Sequence, residues 1–194
     1  MVELINFSGG NLGSIRRALE RLDISYKIAA SAGELTGDRG IILPGVGSFG
    51  AAMAAIERVG LKQRVSDAVR GGSPYLGICI GMQLLFRTSE EAPDVAGLGL
   101  IDGEVLRFKT GKVPQIGWNR IEPLGAGSRT PGFVYFVNSY YCRPVDQTLT
   151  TFQAEYHISF CAALRRGNIT AYQFHPERSG EFGSQLLKEW CDDL

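Results

Sequence analysis

The residues best suited to chemistry are a cysteine between two glycines and a distant histidine with an acid beside it. Cys79 is the centre of the run GICIG at 77–81, and His175 begins the run HPE that ends at Glu177. A nucleophile flanked by glycines at this spacing is typical of a sharp strand-to-helix turn that exposes it. The helix N-terminus favours a thiolate, an imidazole can move protons, and a carboxylate can orient the imidazole. We therefore predict a catalytic triad of these three residues.

The other cysteines and the second histidine lack such a setting. A free cysteine is more often a core side chain than a nucleophile, and that interpretation is preferred for Cys142, Cys161 and Cys191. His157 is expected at an exposed turn or in a strand. No CxxC spacing joins any of the four cysteines, which argues against a zinc site or a disulfide framework. We expect no metal and no cofactor.

Length and charge limit the class of protein. A chain of 194 residues has the size of one domain, and we expect a single domain over 1–194. The 20 basic and 20 acidic residues balance, so the chain lacks the charge of a general nucleic-acid binder. Neither a signal peptide nor a membrane-spanning run is recognised. These features favour a cytoplasmic protein with a reduced catalytic thiol.

The order of predicted elements changes along the chain. Strands are predicted at 2–7, 25–29, 40–43 and 75–78, and helices at 12–22, 49–58, 61–70 and 80–86. Further strands follow at 103–108, 113–121, 133–141, 148–156, 159–164 and 169–174, before a last helix at 180–190. This order predicts an α/β fold: an open, mostly parallel central sheet flanked by helices, with an additional β-rich antiparallel portion in the second half.

The predicted layout places the triad on one edge of the sheet. Cys79 follows a parallel strand and His175 follows another, and sites in open α/β sheets form at the carboxyl ends of strands. A thioester mechanism also needs donors for an oxyanion. The backbone N–H of Ile80 is one candidate, and the glycine-rich loop 44–47 is another. That loop can equally be an ordinary strand–helix turn.

The two runs around the predicted triad resemble those of a known family. The runs 77–86 (GICIGMQLLF) and 173–180 (QFHPERSG) resemble the class I, or triad, glutamine amidotransferases. Further runs, at 10–12, 44–47, 89–93, 117–119 and 135–140, resemble one group of glutaminase subunits in that family. The resemblance spans essentially the whole chain.

The resemblance implies a reaction and a partner. Cys79 would attack the side-chain amide of glutamine, and water would hydrolyse the thioester to glutamate. Ammonia would pass to a (βα)₈-barrel cyclase subunit, in a heterodimer, for imidazole ring formation in histidine biosynthesis. The implied roles are glutamine binding by Gly47, Gln83, Glu91, Ser139 and Tyr140, an oxyanion hole at Val46 and Ile80, and a partner interface at Asn11, Trp118, Tyr135 and Arg178.

Two departures from the family pattern and three alternative functions stay open. Gln115 and Asn138 stand where the family often has histidine, and both remain polar. The chain can instead be the glutaminase subunit of another amidotransferase, one that makes amidino sugars. A stand-alone cysteine hydrolase is opposed by Gln83 and by the glycine-rich loop, because a peptidase needs no pocket for free glutamine. A non-catalytic subunit is opposed by the presence of all three triad residues.

Overall fold

The structure is a computed structural model that describes residues 1–7, 12–45, 47–125 and 130–194. The strands are β1 (Val2–Ile5), β2 (Tyr26–Ala29), β3 (Gly40–Leu43), β4 (Tyr75–Ile78), β5 (Phe86–Ser89), β6 (Ile101–Arg107), β7 (Gln115–Pro123), β8 (Gly132–Asn138), β9 (Tyr140–Pro144), β10 (Thr150–Glu155), β11 (Ser159–Arg166) and β12 (Ile169–Tyr172). The α-helices are α1 (Gly13–Arg21), α2 (Phe49–Arg58), α3 (Leu61–Arg70), α4 (Ile80–Gln83) and α5 (Gly180–Asp192). Across these described stretches, no helix has both the length and the apolar character to cross a membrane.

The sheet has a parallel half and an antiparallel half that meet at β12. Strands β2, β1, β3, β4 and β12 lie side by side and are parallel. From β12 the sheet continues through β11, β10, β7 and β8 with antiparallel pairing. Strand β9 joins β11 to β6, and β6 pairs in parallel with β5. The predicted α/β architecture is confirmed.

Helices cover both faces of the parallel half. On one face α2 and α3 bury Met53, Ile56 and Val65 against side chains from the central strands. On the other face α1 and α5 bury Leu19 and Leu187. Because alternate residues of a strand point to opposite faces, each central strand contributes to both layers. The strands are therefore nearly continuous apolar runs, as expected for a parallel sheet covered on both sides.

The crossing between β4 and α4 requires glycine at two positions. A Cβ atom on Gly81 would lie 1.8 Å from the carbonyl oxygen of Leu43 in β3. A Cβ atom on Gly77 would lie 2.5 Å from the carbonyl oxygen of Gly81. Both contacts are with backbone atoms, which cannot rotate away as a side chain can. The glycines on either side of Cys79 thus let the turn pack directly against the neighbouring strand.

Several predicted elements differ from the observed ones by small shifts at their ends, and two differ by more. The predicted helix 80–86 ends at Gln83, because Phe86 begins β5 and pairs with Ile101 of β6. The predicted strand 133–141 is two strands separated at Ser139, since β8 pairs with β7 whereas β9 pairs with β6 and β11. Both differences arise from strand partners that are distant in sequence.

We predict that Gly81→Ala lowers the free energy of unfolding by about 3 kcal/mol or more, because the added methyl collides with backbone and the crossing must open. Gly33→Ala is the matched control, since a Cβ atom there meets nothing within 4 Å. Chemical denaturation of both variants measures the difference. Equal stability of the two variants would show that the crossing is not tightly packed.

Candidate active site

Cys79 occupies the strained turn between β4 and α4. Its backbone has φ 54° and ψ −106°, a conformation that residues other than glycine rarely adopt. The Cys79 amide donates to the carbonyl oxygen of Tyr172 in β12 at 2.7 Å. Its own carbonyl oxygen accepts from the amides of Met82 at 3.0 Å and Gln83 at 3.2 Å. Backbone hydrogen bonds on both sides of the residue therefore hold the strained conformation and fix the direction of the sulfur.

His175 is fixed by contacts to β8. Its amide donates to the carbonyl oxygen of Tyr135 at 3.0 Å. The hydroxyl of Ser179 donates to the carbonyl oxygen of His175 at 2.6 Å and accepts from the amide of Tyr135 at 2.9 Å. Ser179 itself is buried, so the three residues form a small backbone clamp. The imidazole thus lies on the segment that follows β12 and is held in place by β8, in the antiparallel half of the sheet.

The structure brings the three predicted triad residues together. Nδ1 of His175 lies 2.9 Å from Oε1 of Glu177, and the two side chains are 6% and 8% exposed. His175 and Cys79 line the same cavity, and the side chain of Cys79 contributes to the pKa of His175. Burial acts to lower the pKa of His175, but hydrogen bonds and negative charge from Cys79 and Glu177 outweigh it and raise the pKa to about 10. The surroundings of His175 therefore favour the cationic form of the imidazole.

A cavity of about 260 Å³ opens above the sulfur. The residues predicted to bind glutamine all line it: Gly47, Gln83, Glu91, Ser139 and Tyr140. The carboxylate of Glu91 also accepts a hydrogen bond from the amide of Phe49 at 2.6 Å, which fixes it at the start of α2. The cavity has the volume of a small polar molecule and combines a carboxylate, amides and hydroxyl groups with the nucleophile.

The predicted oxyanion donors are placed only in part. Ile80 lines the cavity next to Cys79, and its amide is at the first position of α4, where no intrahelical acceptor is available. In the neighbouring loop, a Cβ atom on Gly45 would lie 1.9 Å from Cγ2 of Ile80, so Gly45 packs directly on the start of α4. Val46, like the predicted interface residue Asn11, lies outside the described residues.

The remaining predicted interface residues form one surface beside the site. Trp118 is 57% exposed and contacts the ring of Tyr135 edge-on, with 6.2 Å between ring centroids. The guanidinium of Arg178 lies 4.7 Å from the centroid of the Tyr135 ring, and Arg178 also lines the cavity. Trp118 is therefore no core aromatic. Ile116 and Phe133, 62% and 59% exposed, share this face of the β7–β8 ladder. We call Ile116, Trp118, Phe133, Tyr135 and Arg178 the β7–β8 surface.

Three polar residues beside the site had no predicted role. Gln115 and Asn138 face each other across β7 and β8, are 3% and 4% exposed, and each has a side-chain oxygen with no hydrogen-bond partner. Asn138 lines the cavity and donates to the carbonyl oxygen of Tyr140 at 2.9 Å. Gln173 is fully buried and lies against the sulfur of Cys79. Its signal in the sequence is a single amide within the apolar run 169–174.

The other cysteines are placed as expected for packing residues. Cys142 and Cys161 are buried, and burial raises the pKa of Cys142 well above its usual value and that of Cys161 to about 12. Cys191 is half-buried against the core. His157 lies in an exposed turn. Within the described part of the chain, no group of three or more histidine, cysteine or acidic side chains could hold a metal ion.

Comparison with known proteins identifies the protein family of this chain. The family model "Glutamine amidotransferase class-I" matches residues 3–194. A solved structure titled "Crystal structure of glutamine amidotransferase" has a TM-score of 0.80 at 22% identity, covering 98% of this chain and 97% of that chain. The structure of PurLQS from Thermotoga maritima has a TM-score of 0.79 at 19% identity, covering 99% and 97%. The chain belongs to the class I glutamine amidotransferase family.

The curated relatives of this chain indicate its group within the family. The chain is 45% identical over 202 residues to the imidazole glycerol phosphate synthase subunit HisH of Geobacillus kaustophilus, covering 98% of this chain and 95% of the relative. It is 42% identical over 195 residues to the subunit of the same name from Moorella thermoacetica, covering 97% and 93%. The resemblance predicted from the sequence motifs is confirmed at the level of the family and of this group within it.

We predict that Cys79→Ala lowers the pKa of His175 by about 1–3 units, because the sulfur no longer supplies a hydrogen bond and negative charge while burial still opposes the cation. NMR titration of the His175 imidazole measures the shift, with the exposed His157 signal as an internal control.

Because the pKa of His175 is raised on folding, the stabilisation of the folded state by its proton is complete below about pH 6.5 and is lost as the pH rises through about 10. An unchanged titration in the variant would contradict the pairing.

Proposed function

We propose that this chain is the glutaminase subunit of an imidazole glycerol phosphate synthase. It hydrolyses glutamine to glutamate and ammonia through a thioester on Cys79 and passes the ammonia to a cyclase subunit. The observation that carries the proposal is the meeting of Cys79, His175 and Glu177 at one polar cavity, in a chain whose curated relatives are subunits of that synthase. The unit that performs this reaction is one domain over residues 1–194, acting in the cytoplasm, where the free thiols stay reduced.

The chemistry begins with a proton transfer. The site favours the protonated imidazole, so His175 takes the proton of the Cys79 thiol as the sulfur attacks the side-chain amide carbon of glutamine. The oxygen that becomes negative accepts the N–H of Ile80, the first amide of α4. His175 then donates its proton to the departing ammonia and, in the second half of the reaction, accepts a proton from the attacking water. Glu177 orients the imidazole through Nδ1 and stabilises its cationic form.

The cavity supports free glutamine as the substrate. Glu91 supplies a carboxylate that can accept hydrogen bonds from the α-ammonium group of a free amino acid. Within a peptide chain the α-nitrogen is part of an amide and carries no positive charge, so this carboxylate would have no cation to bind. Gln83, Ser139 and Tyr140 supply further polar groups around the same space. This composition favours a glutaminase over a cysteine peptidase that uses a similar turn and triad.

The β7–β8 surface supports a protein partner. Its exposed apolar side chains lie on one face of an edge ladder, and aromatic and arginine side chains are enriched at the centres of interfaces. We assign this surface to the (βα)₈-barrel cyclase subunit of a heterodimer. The Tyr135 backbone bonds both His175 and Ser179, so a partner that presses on this ladder acts directly on the segment that carries the imidazole.

We predict that Cys79→Ala lowers glutamine-dependent synthesis by the assembled enzyme by about 10⁴-fold or more, because no thioester can form. Synthesis from added ammonium salt should remain, since the cyclase subunit does not need this sulfur. Cys191→Ala is the control, because Cys191 is half-buried and lies outside the cavity. Parallel loss of both activities in Cys79→Ala would mean that the residue is structural.

We predict that Trp118→Ala weakens binding of the cyclase subunit by about 10–100-fold, because a large exposed aromatic side chain at the centre of the surface is lost. Val145→Ala is the matched control, since Val145 is 77% exposed and lies outside the β7–β8 surface. Titration calorimetry with the purified cyclase subunit measures both dissociation constants. Equal affinity of the two variants would place the interface elsewhere.

A further inference from the structure

A buried amide lies against the sulfur and has no part in the triad. Gln173 follows Tyr172 at the end of β12 and is 0% exposed. Its Nε2 atom lies 3.8 Å from Sγ of Cys79, within hydrogen-bonding range for sulfur. Its Oε1 atom accepts from Nε2 of Gln83 at 3.2 Å. Burying an amide costs free energy unless both of its ends are satisfied, and here one of the two ends is satisfied by the nucleophile.

The orientation of the amide follows from a backbone carbonyl. The carbonyl oxygen of Tyr140 can only accept hydrogen bonds, so the group of Gln83 that faces it at 3.3 Å must be the NH₂ group. Asn138 donates to the same oxygen at 2.9 Å. Since the NH₂ group of Gln83 also faces Gln173, the atom of Gln173 that it meets must be the oxygen. The NH₂ group of Gln173 is therefore directed at the sulfur of Cys79.

We propose that Gln173 is a catalytic residue that donates an N–H hydrogen bond to the sulfur of Cys79 and stabilises its thiolate form. The inference rests on the proposed glutaminase function of this site and adds a residue to it. The sulfur is negative twice in the cycle: before it attacks glutamine, and again when it leaves the thioester as water adds. In both states the N–H group faces a charged acceptor, whose hydrogen bonds are stronger than those of a neutral one. Gln173 keeps its own proton throughout.

The same chain of amides links the substrate cavity to the nucleophile. Gln83 lines the cavity and holds the oxygen of Gln173, so the side chain that meets glutamine also determines which end of Gln173 meets the sulfur. A residue that only supported Gln83 would influence substrate affinity and leave the sulfur unchanged. A donor to the sulfur influences the proton affinity of the Cys79–His175 pair. The two roles can therefore be separated by a measurement on the thiol that uses no glutamine.

The test is Gln173→Met in the full chain, because methionine has a similar length and volume but no N–H donor. The rate at which iodoacetamide alkylates Cys79 is measured against pH, with the modified peptide quantified by mass spectrometry. We expect the midpoint of this profile to rise by about one pH unit. In the assembled enzyme kcat for glutamine hydrolysis should fall about tenfold, with KM little changed. Thr170→Val, an isosteric change three residues earlier in β12, is the control and should leave the midpoint unchanged.

An unshifted midpoint in a folded Gln173→Met variant would overturn the proposal, and so would a rise in KM alone. If the variant does not fold, the wild-type chain supplies the second test. The side-chain ¹⁵N–¹H signals of Gln173 should move when Cys79 is alkylated, and their independence of the state of the sulfur would equally overturn the proposal. Because alkylation needs no glutamine, loss of the glutaminase assignment would show separately, as a wild-type enzyme with a reactive Cys79 that releases no ammonia from glutamine.

Discussion

The site depends on the parallel pairing of β4 with β12. This ladder runs from Tyr75 opposite Ile169 to Ile78 opposite Tyr172, and the amide of Cys79 extends it with one further hydrogen bond. Parallel strands end at the same edge of a sheet, so residues that are 94 positions apart in the chain, Cys79 and Gln173, come into contact there. The imidazole follows two residues later. Without this register the nucleophile and its base have no reason to meet.

The site combines several features that each destabilise a folded protein. Cys79 has a positive φ, an imidazole whose pKa is raised is almost fully buried, and Oε2 of Glu177 has no hydrogen-bond partner. Each is an unfavourable feature by itself. They are tolerated because the surrounding elements are rigid: α4 packs backbone to backbone on β3, and Ser179 clamps the segment after β12 to β8. Rigidity of the sheet edge thus maintains the strained nucleophile beside its base.

The sequence was most informative where local pattern decides structure. It predicted β3, β4, α2 and α3 with the bounds observed, because the two strands are short apolar runs and the two helices carry apolar residues at helical spacing. Through a family resemblance it also named five of the residues that line the cavity, which we propose to bind glutamine. It extended α4 to residue 86 and missed the break at Ser139, since both depend on strands that pair only in the folded chain. Gln173 was missed for the same reason: its role arises from contacts with Cys79 and Gln83, about ninety residues away.

The central claim is that the sulfur of Cys79 carries the glutamyl group during turnover. Its most direct test is to quench the assembled enzyme with acid while it hydrolyses glutamine and to identify the modified peptide by mass spectrometry. A single glutamyl group on Cys79, accumulating when the thioester is slow to hydrolyse and absent from Cys142, Cys161 and Cys191, is the predicted result. Turnover with no glutamyl adduct on Cys79, or with the adduct on another side chain, would contradict it.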